Sequence, residues 1–91
     1  MKVIADCSNG EIHIFNDPPH VYISTDRTLN IVDNTGTMHF FKDGDLTMEA
    51  LMRYLSSKLG TADWFMFKGL TYAGCTTRFL TDLQQKKLGG E

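Results

Sequence analysis

Apolar and polar residues alternate over short stretches in the first half of the chain, a pattern typical of half-buried β-strands. Turn-forming residues bound these stretches, for example at Ser8-Asn9-Gly10, where an Asn-Gly pair tolerates positive φ. Five short strands with tight connections indicate an antiparallel meander. The predicted strands are Lys2–Cys7, Glu11–Phe15, His20–Ser24, Leu29–Val32 and Met38–Phe41.

A different period follows these strands, with apolar residues recurring at the spacing of one helical face. Thr47 is suited to cap the N-terminus of such a helix, and Gly60 can end it in a left-handed conformation. The pattern predicts a helix over residues 47–59 that packs its apolar stripe on one face of the sheet. The stripe consists of Met48, Leu51, Met52, Leu55 and Leu59.

The last third of the chain is less regular. Residues 61–74 contain an apolar run too short for periodicity to separate a buried strand from a short helix. Residues 76–88 predict a second, C-terminal helix, and residues 89–91 are expected to fray. The expected fold is therefore a single α+β domain over residues 1–88, with a five-stranded antiparallel meander and two helices.

Because side chains alternate across a strand, the predicted sheet has two distinct faces. One face is almost wholly apolar and is assigned to the core beneath the first helix. It collects Val3, Ala5, Cys7, Ile12, Ile14, Val21, Ile23, Leu29, Ile31, Met38 and Phe40. The other face combines all three histidines with aromatic, acidic and polar residues. Its predicted partner-binding residues are His13, Phe15, His20, Tyr22, His39 and Phe41.

Three interpretations of this second face are open. The second helix, or Trp64–Phe67, can fold over it and make it a minor core. An aromatic patch rimmed by acids is also typical of an interface with another protein or with a second copy of this chain. The third is a platform for a small ligand or a nucleic acid. Nucleic acid is not expected, because single-strand binders need a positive groove and residues 1–45 carry seven acidic and three basic side chains.

Length and charge narrow the class of protein further. A chain of 91 residues with a net charge of −2 fits one small domain without general affinity for anionic surfaces. Asp6 interrupts the N-terminal apolar residues before they could form a secretory signal, and Trp64–Phe67 is too short to cross a bilayer. A cytoplasmic location without membrane contact, with both cysteines as free thiols, is therefore predicted.

Sequence signatures of catalysis and metal binding are largely missing. The histidines are scattered, with neither a Cys-x-x-Cys pair nor a His-Glu-x-x-His helix, so no metal or cofactor is predicted. Cys75 is the one credible nucleophile, because it precedes the second predicted helix, whose N-terminus could stabilise a thiolate. A thiol enzyme also needs a general base, which the sequence does not place. The protein is therefore not expected to be an enzyme.

The resulting functional hypothesis is a small non-enzymatic protein-binding module that inhibits or adapts a larger partner. Stand-alone domains of this size are common among phage and mobile-element accessory proteins, which is an argument from size alone. The alternative is a homodimer that binds a small ligand or uses the Cys75 thiol.

Overall fold

A computed structural model describes residues 1–59 and 63–77 of the chain, which form six strands and one helix. In chain order the elements are β1 (Lys2–Cys7), β2 (Ile12–Asn16), β3 (His20–Ile23), β4 (Leu29–Val32), β5 (Met38–Lys42), α1 (Met48–Leu59) and β6 (Trp64–Thr76). The strands form one sheet in the order β2-β1-β6-β5-β4-β3. Every neighbouring pair is antiparallel except β1 and β6, which run parallel.

The five predicted strands and the first predicted helix are confirmed, with shifts of one residue at several ends. Thr47 caps α1 as predicted, because its hydroxyl oxygen accepts a hydrogen bond from the Ala50 N–H at 3.1 Å. The purely antiparallel meander is wrong, since β6 lies between β1 and β5 and makes the sheet mixed. Pairing of β1 with a strand nearly sixty residues later leaves no signal in a local hydrophobic pattern.

The ambiguous segment is a long bent strand, β6, with a bulge in each half. Its residues through Leu70 pair with β1, and its residues from Thr71 onward pair with β5, so the two pairings do not overlap. One bulge falls at Gly69, which has a φ of +71°, and the other beside Gly74, which has a φ of +133°. The second helix was predicted to begin at Thr76, which is wrong because Thr76 belongs to β6. Residues 78–88 of that predicted helix lie outside the described part of the chain.

The main core lies on one face of the sheet, here called the inner face, against α1. Predicted core positions on β1, β3 and β4 are confirmed, and Met38 of β5 is buried as predicted. The predicted faces of β2 are inverted, and on β5 Phe41 rather than Phe40 belongs to the main core. Ile12 and Ile14 are 60% and 54% exposed on the opposite, outer face, while Phe15 and Phe41 are buried. The register explains the inversion on β2, because Phe15 is paired with buried Val3. The core comprises Val3, Ala5, Cys7, Phe15, Leu29, Ile31, Phe41, Leu46, Ala50, Tyr54, Phe67 and Leu70.

Helix α1 packs on the core through Ala50, Tyr54 and Leu51, of which only Leu51 belongs to the predicted stripe. Ala50 and Tyr54 are buried, and the Tyr54 ring lies 5.8 Å from Phe65 and 6.2 Å from Phe67. Small Ala50 allows close approach of the helix, and the Tyr54 ring fills the space beside the two phenylalanines. The predicted stripe residues Met48, Met52 and Leu55 are exposed instead.

The loop between β5 and α1 is pressed against β6 at Gly44. The Asp45 N–H donates a hydrogen bond to the Lys68 carbonyl at 2.9 Å. Gly44 has a φ of +64°, and a Cβ at this position would overlap the Lys68 carbonyl oxygen and lie 2.6 Å from the Gly69 carbonyl carbon. A side chain at residue 44 is therefore excluded by both conformation and space.

Candidate functional site

Four of the six predicted partner-binding residues lie together on the inner face. His13 and Phe15 project from β2, and His39 and Phe41 project from β5. The His13 and Phe41 ring centres are 5.2 Å apart, and those of Phe15 and His39 are 5.0 Å apart. Side chains of β2 and β5 are therefore in contact on this face, although β1 and β6 lie between the two strands in the sheet.

His20 and Tyr22, the other two predicted residues, lie on the outer face. His20 is paired with Val32 and Tyr22 with Asn30, and both pairs alternate with the inner-face pair of Val21 and Ile31. The predicted single surface of three histidines is therefore divided between two faces.

Tyr72 on β6 completes the inner-face group and was missed by sequence reasoning. Its ring stacks on His13 with centres 4.7 Å apart, and it lies 5.1 Å from the Phe41 ring. Its hydroxyl is 3.2 Å from Nδ1 of His39. The bulge near Gly74 sets which β6 residues face inward, and local periodicity gives no signal for that bulge. We call His13, Phe15, His39, Phe41 and Tyr72 the inner cluster.

A half-buried acid orients His39 within this cluster. Asp33, in the turn between β4 and β5, lies 2.9 Å from Nε2 of His39. Burial alone would raise the pKa of Asp33, but hydrogen bonds from the Thr35 hydroxyl, His39 and the Thr37 and Thr35 N–H groups outweigh it and lower the pKa to about 2. Asp33 is therefore ionised near neutral pH, and an ionised carboxylate accepts hydrogen bonds only. Nε2 of His39 consequently carries a proton, and in the neutral ring Nδ1 accepts from the Tyr72 hydroxyl.

The Tyr72 hydroxyl also connects to Cys75. Burial, followed by a hydrogen bond to the Cys75 side chain and the negative charges of Cys75 and Glu11, raises the pKa of Tyr72 to about 12. Cys75 is exposed and lies in β6 opposite His39. Its predicted position at a helix N-terminus is wrong, because β6 continues through Thr76. Asp33, His39 and Tyr72 thus form a hydrogen-bonded polar chain, and Cys75 lies at its Tyr72 end, where it contributes to the raised pKa of Tyr72.

The inner cluster borders a cleft of about 410 Å³ between β2 and the turn that joins β4 to β5. The Asn34 amide closes one end by donating to the Asn16 carbonyl oxygen at 2.9 Å. No lysine or arginine is among the described residues that line it. The lining residues are His13, Ile14, Phe15, Asn16, Pro18, Asp33, Asn34, Thr35 and His39. Asp33 therefore supplies the permanent charge of the cleft.

Strand β2 borders this cleft with a backbone edge that no other described strand covers. The Cys7 N–H donates to the Glu11 carbonyl oxygen, and the Asp17 N–H donates to the Met1 carbonyl oxygen. Backbone groups alternate in direction along a strand, so the odd-numbered residues of β2 bond to β1. The N–H and C=O groups of Ile12 and Ile14 therefore point outward, as the Asn16 carbonyl oxygen does. We call this outward backbone of Ile12 and Ile14 the β2 edge.

The β2 edge lacks several of the features that usually protect a terminal strand. Residues 12–16 contain no proline, lysine or bulge, and the Ile12 and Ile14 side chains are exposed. The opposite terminal strand, β3, directly follows Pro18-Pro19. The helix stripe of Met48, Met52 and Leu55 is a second exposed apolar surface. Met52 and Leu55 lie within the helix, where backbone groups bond to one another, so this surface orients a partner less than the β2 edge does.

The other reactive groups are the Cys7 thiol and the side chains of types that can bind a metal ion. Cys7 is a buried free thiol whose pKa is raised by burial, then by the charges of Glu11 and Asp6. In residues 1–59 and 63–77, no three His, Cys, Asp or Glu side chains are grouped closely enough to hold a metal ion.

A scan against models of known protein families found no match, and searches of curated proteins and of solved structures found no significant match. In the part of the chain that the structure describes, no helix is long and apolar enough to span a membrane.

Proposed function

We propose that this protein is a non-enzymatic protein-binding module, acting as an inhibitor or adaptor, that receives an extended segment of its partner along the β2 edge. The observation that carries the proposal is the outward backbone of Ile12 and Ile14 beside their exposed side chains. An added strand gains main-chain hydrogen bonds from such an edge, and the alternating side chains supply specificity.

The two ends of the β2 edge limit how much of a partner can pair. The Asn9-Gly10 turn precedes it, and the Asn34 amide occupies the Asn16 carbonyl at the other end. A partner segment therefore pairs over the short stretch centred on Ile12 and Ile14. Short pairing of this kind is suited to a specific segment of a larger partner, with side-chain contacts adding to the backbone bonds.

The test is a nuclease-treated pull-down from the source organism's lysate with wild-type protein and an Ile14→Pro variant shown to be folded by circular dichroism. Proline at residue 14 removes one outward N–H without removing a hydrogen bond to β1. Val21→Pro is the matched control, because residue 21 of β3 also points its N–H away from its neighbour. Met52→Glu tests the helix stripe.

A protein captured by the wild type and by the Val21→Pro and Met52→Glu variants, but lost with Ile14→Pro, would support the proposal. Retention by Ile14→Pro, or a loss confined to Met52→Glu, would contradict it. The second of these results would assign binding to α1.

The polar chain of Asp33, His39 and Tyr72, with Cys75 at its Tyr72 end, favours one second candidate, a thiol-dependent function. In this alternative, His39 accepts the thiol proton through the Tyr72 hydroxyl. Exposure alone makes Cys75 alkylate faster than buried Cys7, so the informative comparison is between wild type and Tyr72→Phe. A severalfold slower Cys75 alkylation in Tyr72→Phe, with Cys7 protected in both proteins, is expected under this alternative. Equal rates would reject it.

A further inference from the structure

We infer that the segment received by the β2 edge belongs to another protein and alternates apolar with basic residues, its apolar side chains lying beside Ile12 and Ile14 and its lysine or arginine side chain entering the cleft. This inference rests on the function proposed above. The two faces of β2 determine the chemistry of that partner.

The outer face of β2 determines which residues of the partner segment are apolar. Residues directly opposite each other on neighbouring strands place their side chains on the same face of a sheet. A residue paired with Ile14 would therefore extend the apolar row that Ile14 forms with Ile4 and Met66, and a residue paired with Ile12 would cover its exposed side chain. Because both isoleucines are more than half exposed, apolar partner residues would remove substantial apolar surface from water.

The inner face of β2 determines which residue of the partner segment is basic. A residue opposite His13 or Phe15 would direct its side chain into the cleft, where Asp33 is the permanent charge. Glu11 adds a second carboxylate beside His13, at 3.2 Å from its Nε2. No lysine or arginine is among the described residues that line the cleft to offset the charge of Asp33, so a lysine or arginine side chain is the complementary occupant.

A second copy of this chain is the less suitable occupant. Pairing β2 with β2 of a second copy would match the apolar residues of the outer face. It would bring His13 or Phe15 of the other copy to the cleft, and neither side chain carries a permanent positive charge. The acidic cleft therefore favours a different protein.

The experiment uses two synthetic peptides and the full-length ¹⁵N-labelled protein, with binding followed by amide chemical shifts. One peptide is acetyl-Thr-Ile-Lys-Ile-Lys-Ile-Thr-amide, and the other has glutamate at both lysine positions. We expect saturable shifts centred on Ile12 and Ile14, with the lysine peptide binding about tenfold more tightly, as expected when a partly screened charge pair changes from repulsive to attractive.

Two Asp-to-Asn variants separate the cleft from the general negative charge of the protein. Asp33→Asn should reduce the preference for lysine to roughly threefold or less, since the fixed charge of the cleft is removed. Asp26→Asn is the control, because Asp26 makes similar turn contacts with Ser24 and Thr28 but does not line the cleft. It should leave the preference unchanged.

Other results would overturn the inference. These include equal or tighter binding of the glutamate peptide, shifts centred away from β2, and equal effects of the two Asn variants. A solution mass near twice 10.3 kDa that becomes monomeric in Ile14→Pro would assign the edge to a second copy instead. If neither peptide binds at millimolar concentration while Ile14→Pro still loses its captured protein, the partner chemistry is wrong but the proposed function stands.

Discussion

Proline substitutions at two adjacent residues of β2 should have very different effects on stability. His13 and Ala5 form a hydrogen-bonded pair between β2 and β1. This pair lies two residues along the strands from the observed bond between the Cys7 N–H and the Glu11 carbonyl oxygen. Ile14 points its N–H away from β1. His13→Pro should therefore destabilise the fold strongly, whereas Ile14→Pro should be tolerated.

The size of the stability loss in His13→Pro follows from the surroundings of Ala5, which is fully buried. Proline at residue 13 would leave the Ala5 carbonyl without its donor, at a cost of about 1–3 kcal/mol. Contact between the proline ring and that carbonyl would add to the loss, so we expect roughly 3–4 kcal/mol relative to His13→Ala. Ile14→Pro should cost about 1 kcal/mol or less relative to Ile14→Ala, because only backbone strain is added.

The assay is urea unfolding of the wild type and these four variants, followed by circular dichroism. The alanine variants remove the side-chain contribution, which matters at His13 because its ring stacks on Tyr72. A domain of this length has a free energy of unfolding of roughly 5–14 kcal/mol, so the His13→Pro loss is measurable and large. Equal penalties at the two positions, or a larger one at residue 14, would refute the assigned backbone directions and the availability of the β2 edge.

Three further predictions concern conformation, acid stability and packing. Gly44→Ala should lower the free energy of unfolding by roughly 2–4 kcal/mol, because the added Cβ would overlap the Lys68 carbonyl. Gly10→Ala should lower it by only about 1 kcal/mol, because Gly10 has a φ of +95° but an added Cβ would meet open space. Equal losses in urea unfolding would contradict this expectation. The pKa of Asp33 is lowered to about 2, so its stabilising contribution is present above about pH 4 and is lost as the pH falls toward 2. Asp33→Asn should therefore show a flatter decline in unfolding free energy over this range, and an unchanged decline would argue against the hydrogen-bonded carboxylate. Phe41→Ala should lower the free energy of unfolding by about 3–5 kcal/mol and broaden the amide spectrum. A loss below about 1 kcal/mol would contradict the place of Phe41 in the core.

Local patterns in the sequence were sufficient to identify β1 to β5 and α1. They were not sufficient to assign faces where both sides of a strand are apolar. On β2 either Ile12 and Ile14 or His13 and Phe15 could face the core, and pairing with Val3 decides for Phe15. On β5 the same choice is decided by the pairing of Phe41 with Leu29.

The candidate site depended on information that no short segment contains. The contact of Tyr72 with His13 and His39 depends on the bulge near Gly74 and on the neighbours of β6 in the sheet. The β2 edge depends on β2 being a terminal strand of the described sheet, with β3 at the opposite end rather than beside it. The histidines and aromatic residues were therefore recognised as unusual, but their division between two faces required the complete topology.

The separate pairings of the two halves of β6 also determine when the fold can be completed during synthesis. The β1–β2 hairpin and the β3–β5 meander are made of neighbouring segments, so each can begin to form as it leaves the ribosome. Neither pairs with the other, and β6 is the strand that joins them. A nascent chain that has not yet exposed residues 64–76 is therefore two short sheets with incomplete cores, and translation of β6 is the step that unites them.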